Sequence, residues 1–122
     1  DFNGIKCIFT GDLPQLGEKE VITKYQEINA DILKTGHHGS KTSTSPEFVR
    51  KMKPRLAIIS CGRNNRYGHP NQETLETLNN NGVPYLSTAN CGMIKLRKSF
   101  GEMPHLCVYG DGTASRLNLP LR

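Results

Sequence analysis

The sequence predicts an α/β fold, a sheet layered with helices. Three observations carry this. Short apolar runs and amphipathic runs follow one another as strand–helix–strand–helix–strand–helix–strand–strand, the alternation from which layered sheets are built. Leu56-Ala57-Ile58-Ile59-Ser60 is an unbroken apolar run of strand length, which fits a strand buried on both faces. Ser45-Pro46-Glu47 is a strong helix start, with a serine to cap the first turn and a proline where its missing N–H costs nothing.

In chain order, the first strand is predicted within 4–11, where Ile5, Cys7, Ile8 and Phe9 cluster, and it ends at Asp12. A helix is predicted over 18–28. Val21, Ile22, Tyr25 and Ile28 recur at helical spacing, Gly17 precedes them, and acidic residues occupy the positive first turn. Ile32-Leu33-Lys34 is a second short strand and runs into His37-His38-Gly39-Ser40. After a polar loop, the helix begun at Pro46 continues through Phe48, Val49 and Met52 to Pro54. The apolar strand at 56–60 feeds a loop of small and polar residues that delivers His69. A helix over 70–80, with Pro70 in its first position and Leu75 and Leu78 on one face, ends at Asn81-Gly82. Strands follow at 83–87 and 91–96, joined by a turn at Ala89-Asn90. From Lys98 onward, Gly101, Pro104, Gly110, Gly112 and Pro120 mark a turn-rich tail, a hairpin or a partly disordered segment. Asp111, between two glycines, reads as a turn residue, and His105 is given no role. Residues 1–97 form one unit and 98–122 the tail.

The composition narrows the function. With 122 residues the chain supports one modest domain, and 35 % hydrophobic content with 12 Gly and 7 Pro implies many turns. No apolar run reaches the ~20 residues of a membrane-spanning helix. The opening Asp1-Phe2-Asn3-Gly4 has no initiator Met and no basic, then apolar, signal pattern, which predicts a processed or excised piece. Cys7, Cys61, Cys91 and Cys107 form no CxxC pair, so reduced thiols and an intracellular, cytoplasmic setting are expected, with Cys7 as a buried thiol. Net charge is +5, which suits an anionic partner such as nucleic acid or serves solubility alone. Basic residues gather at Arg50, Lys51, Lys53 and Arg55 and at Arg63 and Arg66, the latter pair beside His69. P-loop, dinucleotide and nucleophile-elbow motifs do not occur.

Chemistry-bearing residues follow the predicted strands, where α/β sheets assemble sites. Asp12 fits either a carboxylate that bridges two cations or a cap for the segment after it. Of the adjacent His37 and His38, one is expected to face a site while the other packs or donates a supporting hydrogen bond. Two surface histidines in a turn is the plainer alternative. His69, ahead of Pro70, fits a neutral-imidazole metal ligand or a packing residue at a helix start.

The order FTGDL, ILKTGHHGSKTS, IISCGRNNRYGHP and STANCGMI resembles the C-terminal half of a metallo-β-lactamase-fold hydrolase. It is most similar to the ComEC-like subgroup found in DNA-uptake competence proteins, over about residues 4–97. The resemblance implies the C-terminal half of an αββα sandwich, a mixed sheet with helices packed on it. It implies up to two zinc or manganese ions, with Asp12 and His69 as ligands and His37 or His38 as a further ligand or proton donor. Ser40, Asn65, Arg66 and Tyr67 match neighbouring positions suited to substrate, with Arg66 able to hold a phosphate. The family's first metal motif, HxHxDH or its HxDxDH variant, does not occur in the chain. The expected function is therefore part of a metal-dependent hydrolase acting on nucleic acid. A complementing N-terminal half or a homodimer is expected to cover a sheet face otherwise left open. A non-catalytic nucleic-acid-binding module fits the missing motif and the net charge. A hydrolase of small lactam, lactone or thioester substrates is the third reading.

Overall fold

Alternation of side chains along three consecutive strands decides how the layers stack. In the computed structural model, which describes residues 1–2, 4–99, 101–110 and 113–118, strands β1 (Cys7–Phe9), β2 (Ile32–Lys34), β3 (Leu56–Ile59) and β4 (Tyr85–Ser87) form one parallel sheet in the order β1-β2-β3-β4. Successive strand residues point to opposite faces. One face presents Leu33, Ala57 and Ile59, and it is covered by Phe48, Val49 and Met52 and by Leu78. These come from the helices α2 (Pro46–Met52) and α3 (Gln72–Asn80); α1 (Gln15–Lys24) adds Val21 and Ile22 at the margin. With one helix in each connection between sequentially paired parallel strands, crossovers of the same hand place all three helices on this face.

The opposite face presents Ile32 and Leu56, buried with Ile5 and Leu106 and flanked by Ile94 and Leu96. The last three belong to a second sheet, antiparallel, made of β5 (Met93–Arg97), β6 (His105–Gly110) and β7 (Thr113–Asn118). The molecule thus has two separate sheets, one all parallel and one all antiparallel, rather than a single mixed sheet. The division arises at Gly92, whose φ of 69° turns the chain out of the short helix α4 (Thr88–Cys91) into β5. A Cβ there would stand 2.2 Å from the Tyr109 carbonyl oxygen, so only glycine allows β5 to start so close to β6. The sheet face expected to stand open is thereby filled from within the chain. Large exposed apolar side chains are scattered over other elements, among them Phe9 of β1 (76 % exposed), Leu16 of α1 (72 %) and Met93 of β5 (57 %).

Other differences are local. The first helix starts at Gln15 and stops at Lys24, so Tyr25 and Ile28 sit beyond it in a turn. Helix α3 starts at Gln72 behind an Asn71 cap, so Pro70 precedes the helix rather than opening it; the His69–Pro70 bond is cis. The turn expected at Ala89-Asn90 is the single helical turn α4. Cys7 is half-buried, because its strand forms the sheet edge, and all four cysteines are free thiols. Asp111, Gly112 and Pro120, expected in turns, lie outside the described residues. No helix among the described residues is long and apolar enough to cross a membrane.

Candidate functional site

The C-terminal ends of β1, β2 and β3 open onto one cavity of about 430 Å³, lined by Asp12, His37, His38, Cys61, Gly62, Asn65, Tyr67 and His69. Ligand sites of open parallel sheets form at this edge, because loops from neighbouring strands converge there. Four of the lining side chains are those that the sequence singles out for chemistry, and they arrive on three separate loops.

Hydrogen bonds hold those loops together. The His37 N–H donates to the Gly11 carbonyl (2.8 Å), which brings the Asp12 loop beside the histidine turn. Residues Gly36–Gly39 form that turn, with His37 at φ 44° and His38 at φ 58°. Two consecutive left-handed non-glycine residues are costly and persist only where the surroundings enforce them. Here the Gly36 N–H donates to Thr44 Oγ1 (3.1 Å), while the Gly39 carbonyl accepts from Thr74 Oγ1 (3.0 Å) and the Asn71 N–H (2.9 Å). Glu18 fixes the far side: its carboxylate is wholly buried and accepts from the Thr44 and Ser45 N–H groups.

His69 is held by Asn65. The Asn65 Oδ1 accepts from the His69 N–H (2.9 Å), and its Nδ2 donates to the His69 carbonyl (2.6 Å) and the Gly62 carbonyl (2.9 Å). The His69 ring meets the His37 ring edge-on, with centroids 5.8 Å apart, and stacks on Tyr67 at 5.8 Å. Partial burial pushes its pKa below the ordinary value, and the nearby His37 and His38 push it further down, so it is neutral near pH 7. His38 Nδ1 lies 2.8 Å from the Ser60 carbonyl oxygen. A carbonyl only accepts, so in neutral His38 the proton sits on Nδ1 and Nε2 keeps its lone pair.

The structure thus brings together Asp12, His37, His38, Asn65, Tyr67 and His69. Ser40 and Arg66 do not line the cavity. Ser40 is buried and bonds to Thr42 through its hydroxyl (3.0 Å), and the Arg66 guanidinium lies over the Tyr67 ring at 4.8 Å. Cys61 and Gly62 line the cavity without having been singled out; their position directly after the buried third strand is the signal that could have found them.

The donor types suit zinc or manganese. Their placement does not make a closed site: among the described residues, no three His, Cys, Asp or Glu side chains come together as one ion requires. The His38 ring is turned toward Ser60, and the His37 and His69 rings meet edge to face. The residues present therefore do not by themselves fit the centre that the resemblance implies.

No family model matches the chain. Over 94 residues, 77 % of its length, it is 48 % identical to ComE operon protein 3 of Bacillus subtilis (strain 168). It is 33 % identical over 93 residues to competence protein ComA of Neisseria gonorrhoeae, and 35 % identical over 89 residues to recombination protein 2 of Haemophilus influenzae. The matched stretch spans 12 %, 14 % and 11 % of those three proteins.

Proposed function

We propose that this chain, which belongs to the family of competence proteins, supplies part of a phosphodiester-hydrolysing centre that acts on DNA during its uptake. The observation that carries the reading is the convergence of Asp12, His37, His38 and His69, from three loops, on one open cavity. The family names support the DNA, and net charge +5 favours a polyanion.

Within this reading the chain's own groups move protons and fix geometry. His38, whose Nε2 keeps its lone pair, can accept a proton from an attacking water or return one to a leaving oxygen, while His69, neutral near pH 7, would offer its lone pair to a metal ion. Asn65 keeps His69 aimed, and Tyr67, 63 % exposed, offers a flat surface at the mouth. A zinc or manganese centre belongs to the same proposal only as one completed by donors beyond these residues, as does an αββα sandwich completed by a second half.

The test is cleavage of labelled single-stranded DNA by ComE operon protein 3 whose matching 94 residues are replaced by their counterparts from this chain. Replacing His37, His69 or Asp12 by alanine is expected to lower turnover by about 100-fold or more, the usual scale for acid–base and ligand groups. Turnover that survives all three replacements would refute the reading.

A further inference from the structure

The antiparallel sheet carries its charge on one side. In the cross-strand register, Lys95 of β5 and Arg116 of β7 both pair with Cys107 of β6, one on each flank. Arg97 lies in the next row, and Met93 and Tyr109 form the row at the Gly92 end. Alternate positions share a face, so all of these point away from Ile94, Leu96 and Leu106, which pack on the parallel sheet. Lys95, Arg97 and Arg116 are exposed, and the three strands contain no Asp or Glu. Among the described residues none of these three cations has an ion-pair partner. Three like charges on one small face repel one another, and a polyanion relieves that cost.

Position gives the face a purpose. The Cys61 N–H, at the cavity, donates to Thr88 Oγ1 of α4 (3.0 Å), and Arg63 Nε donates to the Ala89 carbonyl (3.0 Å). From α4 the chain passes Gly92, against the Tyr109 backbone, and enters β5. The Met93–Tyr109 row is therefore the end of the sheet nearest the cavity. The Arg97 row lies roughly 14 Å further on, at about 3.4 Å per residue.

We propose that this outer face of β5–β7 binds single-stranded DNA, with phosphates on Lys95, Arg97 and Arg116 and a base stacked on Tyr109. A basic surface with an interposed aromatic is how sheet surfaces hold single strands, whereas the stacked bases of a duplex leave Tyr109 without a partner. The proposal rests on reading the cavity as a DNA site, and it makes the sheet the track along which the strand leaves.

Fluorescence anisotropy of labelled oligothymidylate with the chain Asp1–Arg122 tests it. Charge reversal at Lys95, Arg97 and Arg116 together is expected to weaken binding roughly tenfold or more and to reduce the slope of log affinity against log salt by about 2. Tyr109→Ala is expected to weaken binding roughly fivefold or more without changing that slope. Unchanged affinity and slope in the charge-reversed chain would overturn the proposal, as would equal losses for a duplex or for anionic lipid vesicles. Glutamine at the same three positions gives the readout should reversal disturb folding. In the grafted protein, His37→Ala and His69→Ala are expected to lower maximal cleavage by about 100-fold or more, whereas the three sheet substitutions are expected to raise the DNA concentration needed for half-maximal cleavage with little change in its maximal rate. Failure of the sheet and failure of the cavity are thus told apart.

Discussion

At the residue scale, Asn65 has the most specific task. Its side chain makes three hydrogen bonds, and all of them fix the loop that ends at His69. Asn65→Ala removes all three and is expected to cost about 1–2 kcal/mol in urea unfolding. It should also lower cleavage by the grafted protein by more than that stability loss explains. Asn65→Asp keeps the acceptor for the His69 N–H and should recover part of the activity. His69 makes a second prediction. Its pKa lies below the ordinary value of 6.5, first through burial and then through His37 and His38. Above pH 6.5 neither the folded nor the unfolded chain holds that proton. As the pH falls below 6.5 the unfolded chain takes it up first, so stability drops until the folded pKa is passed. Urea midpoints measured at about pH 5 and pH 7.5 should therefore fall on acidification, and His69→Asn should shrink the fall. The types and order of the site residues are legible in the sequence. The roles of Asn65 as a clamp and Glu18 as a buried anchor are not, because both depend on partners, Thr44 and Ser45 for Glu18, brought near only by the fold.

At the scale of elements, two of the site's three loops press together at Gly39. Its φ is 84°, and a Cβ would meet Pro70 Cβ at 2.8 Å and Ile59 Cγ2 at 3.0 Å. Gly39→Ala is expected to destabilise the chain by about 2–3 kcal/mol, by backbone strain and overpacking combined. It should also separate the His37–His38 turn from His69–Pro70. A thermal melt reads the first effect; loss of the close His37–His69 ring contact in an NMR or crystal structure reads the second. The start of helix α2, though not its end, which falls at Met52 rather than Pro54, was legible, because Ser45 accepts from the Phe48 N–H as its cap pattern requires (3.2 Å). The start of α3 was not. Asn71, rather than Pro70, precedes it, since the Asn71 side chain accepts from the Lys41 N–H (2.9 Å) across the loop boundary. Local signals see a proline at a helix start, but they do not see a tie to a residue thirty positions away.

At the scale of the whole molecule, the layers are set by which apolar strand residues meet which partners. The parallel sheet and its helical layer follow from the alternation of apolar runs. The antiparallel sheet beneath does not, because β7 is exposed along its full length and carries no apolar signature. That sheet fills the face which the sequence leaves open, while among the described residues no three metal-donor side chains come together. Asp12, His37 and His69 are proposed to belong to a metal centre that only donors outside them close. Zinc and manganese bound per chain, by elemental analysis after purification without chelator, test this most directly. Well under one ion is expected for Asp1–Arg122 alone and about two for ComE operon protein 3 carrying its matched residues, falling on His69→Ala. About two ions on the isolated chain, or none on the grafted protein, would contradict it.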